Sequence, residues 1–159
     1  MLEGEIATAL VCGEKRFSYN EFWKRVHRLI NGLESLGFKR GDREKKGAHI
    51  GIMLRNSNET VEAMYACNMM RSLGVLVNWH LVGDELEFVI ANSDAKVLTL
   101  DEEFLNKIAP IKSKLKNIER FVVVGQEAPS DMILYEDLLQ KSTSERSGRF
   151  YPQWGVMLF

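Results

Sequence analysis

The chain has 159 residues, a formal net charge of −1 and 45% hydrophobic residues, which is ordinary for a single globular domain. The near-neutral charge excludes a global field that would favour nucleic acid or an anionic membrane surface. No apolar run approaches the roughly 20 residues that cross a bilayer, and the N-terminus lacks the basic and apolar regions of a signal peptide. The sequence therefore predicts a cytoplasmic protein with no membrane span and no nucleic-acid partner.

The first elements are predicted from short apolar runs and a helix-start signal. Residues 7–12 and 16–17 flank a turn, which predicts a small β-hairpin. Ser18 and Glu21 then have the spacing of a capping box, in which a hydroxyl and a carboxylate satisfy the first helix amides. Apolar residues continue at steps of three and four, which predicts one amphipathic helix ending at Gly37.

A charged segment, residues 39–47, separates this helix from the next strand. Its basic residues are interleaved with acidic ones, which favours a solvated loop over a contact to phosphate or nucleic acid. Residues 50–54 are almost continuously apolar, as is typical of a strand covered on both faces. Polar residues 56–58 offer helix caps. The helix that follows is predicted to reach Gly74 through Val61, Met64, Tyr65, Asn68, Met69 and Leu73.

Methionines recur on this second helix, at Met64, Met69 and Met70. A Met-rich face could line a pocket for an acyl chain, but methionine is also a common filler of irregular gaps in a core. The sequence favours core packing at these three positions. The two cysteines, Cys12 and Cys67, lie in apolar patterns far apart, which favours two free thiols in a reducing compartment over a disulfide.

Strands and helices alternate through the rest of the chain. This alternation predicts a parallel sheet with right-handed crossovers, and we expect an α/β fold in which a Rossmann-like layered parallel sheet is flanked by helices over residues 1–141. Residues 142–159 are polar and turn-rich, then aromatic without periodicity, so we expect a flexible tail. The predicted strands are residues 75–77, 96–100 and 121–124, and the predicted helices are residues 84–92, 102–115 and 135–140.

Catalytic signatures are largely missing from the sequence. It contains no GxxxxGK[ST] phosphate loop, no GxGxxG after a strand and no GxSxG nucleophile elbow. The three histidines are too widely spaced for a helical zinc site and there is no Cys-x-x-Cys pair, so no metal site is predicted. We expect His27 to pack at the border of its helix and His49 to lie in a loop. Asp84 and Glu85 are interpreted as first-turn helix residues rather than as a catalytic carboxylate pair.

The segment GVLVNWHLVGDELEFVIANSDAKVLTLD, residues 74–101, is the best candidate for a ligand edge. Asn78, Trp79 and His80 follow a predicted strand, where a parallel sheet presents the carboxyl edge at which ligands gather. In a functional interpretation, His80 donates to a ligand anion or carries a proton near neutral pH. The structural interpretation, which we favour, has Trp79 plugging the loop onto the core while His80 satisfies local backbone groups.

Three blocks of the sequence resemble the N-terminal part of acyl-CoA synthetases of the adenylate-forming superfamily. They are FSYNEFWKRVHRLINGLESLGFKRGD, IGIMLRNSNETVEAMYACNMMRSLGVLVNWHL and DELEFVIANSDAKVL, which together span roughly residues 9–140. The NWHL loop is most similar to fatty-acyl-CoA synthetases. The resemblance implies a partial N-terminal subdomain of the adenylate-forming fold. It also implies a two-step reaction, in which a carboxylate attacks ATP to give an acyl-adenylate and the CoA thiol displaces AMP, with ATP, Mg²⁺ and CoA as cofactors of the full-length family.

The sequence departs from this family pattern in two places that bear on function. The Ser/Thr/Gly-rich phosphate loop and its lysine are absent, and residues 142–148 echo only its composition. Adenylyl transfer depends on precisely positioned charges, so we expect no catalytic residue in this chain and a substrate-pocket wall at residues 78–80. The charged link at residues 39–47 is longer than is usual, and residues 149–159 match nothing expected of the family.

Three hypotheses about function remain open at this point. The chain is a truncated or frame-disrupted form of a larger synthetase and is inactive alone. Alternatively, it is a non-catalytic interaction module that forms a homo-oligomer, pairs with a chain supplying the missing C-terminal portion, or regulates a full-length relative. A stand-alone nucleotide-binding protein is disfavoured by the missing glycine fingerprint. If helices that normally pack on an absent portion are bare, a large apolar patch should be exposed.

Overall fold

In the computed structural model, which describes residues 7–41 and 46–145, helices cover both faces of a five-stranded parallel sheet. This arrangement confirms the predicted α/β architecture. The strands are β1 (Thr8–Cys12), β2 (Lys15–Ser18), β3 (His49–Met53), β4 (Gly74–Leu76), β5 (Ala95–Asp101), β6 (Arg120–Val124) and β7 (Ile133–Leu134). The helices are α1 (Tyr19–Ser35), α2 (Asn58–Met69), α3 (Gly83–Ala91), α4 (Leu105–Ile108) and α5 (Tyr135–Gln140).

The N-terminal hairpin and the start of α1 form as the sequence predicts. Strands β1 and β2 pair antiparallel. The Glu21 amide donates to Ser18 Oγ at 3.3 Å, and the Ser18 amide donates to the Glu21 carboxylate at 2.8 Å, which completes the capping box. Gly37 ends the helical segment with a φ of +96°, a left-handed conformation that favours glycine.

The strand order β4-β3-β5-β6-β7 makes the sheet doubly wound. The chain leaves β3 toward β4 on one side and then returns to place β5 on the other side of β3. A crevice therefore opens between the carboxyl ends of β3 and β5, because the connections from these two strands run over opposite faces of the sheet. This topological switch point is the position at which doubly wound folds bind their ligands.

Two hydrophobic cores fill the space between the sheet and its two helical layers. Residues of α1, α2 and α5 pack on one face, and residues of α3 and of the segment that contains α4 pack on the other. Met70 is fully buried in the first core, with Met64 and Met69 packed against it, so the preference for core packing over an acyl pocket is confirmed. Cys12 and Cys67 are free thiols, and burial raises the pKa of Cys67 to about 12.

The predicted helix over residues 102–115 is wrong. The segment consists of a 3₁₀ turn at Glu102–Phe104, the single turn of α4, and a second 3₁₀ turn at Lys112–Lys114. Pro110 explains the break, because proline has no amide hydrogen to donate and its ring clashes with the preceding helical turn. The short strand β7 was not predicted, since two residues carry no alternation that could be recognised.

Two further predictions, for β3 and for α2, are corrected. His49 is the first residue of β3 rather than a loop residue, and its Nδ1 lies 3.1 Å from the carbonyl oxygen of Ser93. Helix α2 ends at Met69, before the predicted end at Gly74. Arg71, two residues after this end, has a left-handed φ of +53°. The buried residues of α2 are Asn58, Glu59, Glu62, Ala63, Ala66 and Cys67, and Val61, Met64 and Met69 pack partly buried against the first core.

A buried carboxylate joins three helices on the face of the sheet that α1, α2 and α5 cover. Glu62 of α2 is completely buried, and Arg25 of α1 binds it through Nε at 2.7 Å and Nη2 at 3.2 Å. The Tyr135 hydroxyl of α5 donates to the same carboxylate at 2.8 Å, and Asn58 Nδ2 donates at 3.0 Å. Arg25 also pairs with Glu136. Four donors thus satisfy a charge that would otherwise be very costly to bury.

The surroundings shift the pKa values of both partners of Glu62. Burial raises the pKa of the Tyr135 hydroxyl well above its ordinary value, and the adjacent Glu62 charge raises it further, so the phenol remains a donor. Burial alone would lower the pKa of Arg25, but its hydrogen bonds to Glu136 and Glu62 raise it above the ordinary arginine value. The network is therefore a fixed set of donors around one carboxylate.

We expect Glu62→Ala to reduce the free energy of unfolding by about 3–5 kcal/mol, because it leaves Arg25 partly buried without its main counter-charge. Glu136→Gln is the matched control, since its half-exposed carboxylate binds the same guanidinium and should cost no more than about 1 kcal/mol. Urea unfolding followed by circular dichroism measures both values. Equal losses in the two variants would contradict a dominant role for the buried carboxylate.

Candidate functional site

The carboxyl edge of the sheet brings charged residues together at the switch point. Arg55 follows β3, and its backbone amide donates to Asp101 Oδ2, at the end of β5, at 2.6 Å. The Arg55 guanidinium forms a two-point ion pair with Glu103, with Nη2 to Oε2 at 2.8 Å. This hydrogen-bonded pair raises the pKa of Arg55 and lowers the pKa of Glu103.

Trp79 covers these charges with an aromatic stack. Its ring lies parallel to Phe104, with centroids 5.7 Å apart, and the Arg55 guanidinium sits 4.3 Å from the Trp79 ring centroid. Lys107 Nζ donates to the Trp79 carbonyl oxygen at 2.6 Å, which ties the loop to α4. Trp79 packs against the second core, as the structural interpretation of this residue predicted.

Asn78 and His80 are both exposed at this edge, beside Trp79. The His80 ring stacks on Trp79 with centroids 3.6 Å apart. Asn78 Oδ1 accepts the His80 backbone amide at 3.0 Å, so the asparagine side chain, rather than the histidine ring, satisfies the backbone of this loop. The structure therefore places all three predicted site residues in one loop at the carboxyl edge, and their role as a pocket wall stays a prediction.

Asp101 has a raised pKa at this edge. Burial raises its pKa, and the carboxylates of Glu103 and Glu59 add to that increase, against the lowering effect of the Arg55 amide and charge. Glu59 is itself buried; burial opposes its ionisation, but hydrogen bonds at the start of α2 and the nearby Lys15 give it a lowered pKa. Asp101, Glu103 and Glu59 therefore lie near the cations Arg55 and Lys15 at the carboxyl edge of the sheet.

Arg55, Trp79 and His80 lie together at this edge. A guanidinium over an indole and an exposed imidazole favour a planar or anionic group. Among residues 7–41 and 46–145, no group of three or more His, Cys, Asp or Glu side chains could hold a metal ion. Asp84 and Glu85 lie in the first turn of α3, as predicted, and not at the switch point.

Sequence reasoning missed four residues of this site: Arg55, Asp101, Glu103 and Lys107. Arg55 and Asp101 each follow or end a predicted strand, and that position was the signal that could have identified them. Glu103 and Lys107 were assigned to one long predicted helix, so their approach to the edge was hidden by the missed break at Pro110.

This strand order and edge define the chain as a doubly wound, flavodoxin-like α/β unit. The chain belongs to the AMP-binding enzyme family, whose model matches residues 4–150. No helix within the described part of the chain is long and apolar enough to cross a membrane.

Curated relatives and solved structures agree with this assignment. The chain is 32% identical over 136 residues to a long-chain-fatty-acid–CoA ligase of Thermus thermophilus, covering 85% of this chain and 24% of that protein. It is 30% identical over 143 residues to a 3-oxocholest-4-en-26-oate–CoA ligase of Rhodococcus rhodochrous, covering 87% and 25%. The crystal structure of the anthranilate CoA ligase AuaEII with anthranoyl-AMP has a TM-score of 0.82 at 21% identity, over 92% of this chain and 27% of that one.

The chain therefore spans about a quarter of the length of the curated relatives that it matches. Within the described residues, the carboxyl edge carries no ready-made set of three or more metal-binding side chains. No set of metal ligands is present there, and the guanidinium of Arg55 is already held by Glu103. No chemical step can be assigned to these residues.

Asp101→Asn should change how stability depends on pH. The folded protein holds the Asp101 proton more tightly than the unfolded chain does, so this contribution to stability is lost as pH rises from the ordinary value of 3.8 through the raised pKa. An asparagine side-chain oxygen can still accept a hydrogen bond from the Arg55 backbone amide, but the side chain carries no charge. We expect the variant to gain stability relative to the wild type as pH rises through this range.

Urea unfolding at several values between about pH 4 and pH 7 measures the difference between the two proteins. Glu119→Gln, at an exposed carboxylate near the opposite end of the sheet, is the control for a general effect of removing one negative charge. Parallel pH profiles for the wild type and Asp101→Asn would contradict the raised pKa.

Proposed function

We propose that residues 1–141 are the N-terminal α/β portion of an acyl-CoA ligase that activates a fatty or other carboxylic acid. The complete enzyme would form an acyl-adenylate from the acid and ATP and then transfer the acyl group to CoA. The observation that carries this proposal is the 32% identity to a long-chain-fatty-acid–CoA ligase over 85% of the chain. Relatives named for sterol and aromatic acids support the broader class of carboxylic acids.

In this proposal the chain forms part of the substrate pocket and contributes no catalytic residue. Asn78, Trp79 and His80 form part of a substrate-pocket wall, because they lie in one loop at the switch-point edge. The phosphate loop is absent from the sequence, so the chain alone is inactive, and ATP, Mg²⁺ and CoA belong to the complete enzyme. A reducing, cytoplasmic compartment is part of the proposal, since both cysteines are free thiols.

We expect the isolated chain to show no ATP–pyrophosphate exchange with a panel of fatty acids of different lengths. The physical reason is that adenylyl transfer needs positioned cations around the phosphates, and the Arg55 guanidinium at the switch-point edge is already paired with Glu103. Exchange above background, dependent on the fatty acid, would contradict the proposed inactivity of the chain alone.

A chimera tests whether this chain can serve as the N-terminal portion of an acyl-CoA ligase. This chain would replace the matched segment of the Thermus thermophilus ligase, and the unmodified ligase would serve as the control. We expect the chimera to regain exchange that depends on a fatty acid, because the two proteins are 32% identical over the replaced segment. A folded chimera without any exchange would count against an acyl-CoA ligase portion.

A further inference from the structure

A groove of about 400 Å³ lies where the N-terminal hairpin meets the three helices that share one face of the sheet. We call it the hairpin groove. Contacts hold β2 against α1 and α2 at this groove, since the Arg25 guanidinium lies 5.7 Å from the Phe17 ring centroid and Lys15 lies 3.6 Å from Glu59. The groove is lined by Lys15, Arg16 and Phe17 of β2, Arg25 of α1, Asn58 of α2 and Glu136 of α5.

The hairpin groove is lined by a residue with a buried hydrogen-bond acceptor that lacks a donor. Asn58 is 1% exposed, and no group in the described part of the chain donates to its Oδ1. The orientation of this amide is fixed, because Nδ2 donates to the Glu62 carboxylate at 3.0 Å and a carboxylate only accepts. Oδ1 therefore points away from Glu62. Native proteins rarely leave a buried acceptor unmatched, because its desolvation costs free energy.

A water molecule satisfies such an oxygen, so the case for a larger ligand depends on the charges around the groove. Arg16 is exposed, and no ion pair joins it to another described residue. Lys15 is 64% exposed on its side chain and makes only the 3.6 Å contact to Glu59. Arg25, in contrast, is already bound to two carboxylates. A guanidinium and an ammonium that line one groove favour a phosphate or carboxylate group.

We propose that the hairpin groove binds a small organic anion that carries hydroxyl groups. Its anionic group lies at Arg16 and Lys15, and one hydroxyl donates to Asn58 Oδ1. The half-exposed carboxylate of Glu136 is an acceptor for a second hydroxyl. Hydroxylated phosphate monoesters and hydroxy-carboxylates share this chemistry, and a groove of this volume has room for either.

The hairpin groove is distinct from the pocket wall proposed at the switch-point edge. Residues 78–80, Arg55 and Asp101 do not line it. The inference therefore does not rest on the proposed ligase function, and its test needs neither ATP nor CoA.

The test is isothermal titration calorimetry of the full 159-residue chain against two matched pairs of probes. Glycerol 3-phosphate and glycerate carry hydroxyls, whereas propyl phosphate and propionate are the corresponding anions without them. Arg16→Gln removes the exposed charge. Arg120→Gln is its matched control, because Arg120 is an exposed arginine of β6 that does not line the groove. Asn58→Ala removes the buried acceptor, and thermal unfolding establishes whether each variant is folded.

We expect the wild type and Arg120→Gln to bind a hydroxylated probe at least about tenfold more tightly than its partner without hydroxyls, because the latter leaves the Asn58 acceptor unpaired. Arg16→Gln should weaken binding of the preferred probe about tenfold through the lost charge-assisted hydrogen bond. Preference for glycerol 3-phosphate assigns a phosphate monoester, and preference for glycerate assigns a hydroxy-carboxylate.

A folded Asn58→Ala variant should bind both members of a probe pair equally. If Asn58→Ala does not fold, the probe pairs on the wild type and on Arg16→Gln decide the question. No saturable binding of any probe, equal binding of both members of each pair by the wild type, or undiminished binding by Arg16→Gln overturns the proposal and leaves Asn58 Oδ1 to water. Because no ATP or CoA is present, failure here leaves the ligase assays unaffected, and their failure leaves this result standing.

Discussion

The carboxylate of Glu62 is the constraint around which this fold is organised. It is fully buried and accepts hydrogen bonds from Arg25, Tyr135 and Asn58. These donors come from α1, α5 and α2 itself, so one charge fixes the relative positions of three helices on the same face of the sheet. A buried ion pair of this kind contributes specificity of arrangement rather than a large net stabilisation.

The consequences of this constraint reach both the site and the surface. Orienting α2 by Glu62 also sets its first turn, where Glu59 approaches Asp101 at the switch point. On its outer side, the same rotation presents Tyr65 and Asn68 to solvent. The direction in which Glu62 faces is therefore consistent both with the packing of α1, α2 and α5 and with the position of Glu59 near the edge.

The switch-point edge has the position of a ligand site without the groups of a catalytic one. Its cation, Arg55, is paired with Glu103. The Trp79 indole stacks on Phe104, and the Trp79 backbone carbonyl accepts a hydrogen bond from Lys107. In the proposed function, this edge forms part of a pocket wall, and the charges that stabilise the transition state come from the rest of the complete enzyme. Membership of the AMP-binding enzyme family, at about a quarter of the length of its curated relatives, is consistent with this division.

The sequence by itself determined the elements whose signals are local. The capping box at Ser18, the strand beginning beside His49 and the alternation that predicts a parallel sheet all depend on neighbouring residues. The position of the loop at Asn78 is also predicted locally, because this loop directly follows a predicted strand. The three resembling blocks also indicate the family, because the order and spacing of several weak motifs are more specific than any one of them.

Only the tertiary structure decided the features that depend on distant partners. The inward rotation of Glu62 cannot be recognised from sequence, since a glutamate is normally assigned to solvent and its donor Tyr135 lies 73 residues away. The meeting of Arg55 with Asp101 and Glu103 likewise requires the strand order, which the sequence leaves unspecified. The segment 146–159, for which a flexible tail was predicted, lies outside the described residues. Local patterns set the elements, whereas long-range charge pairing set the direction in which each one faces.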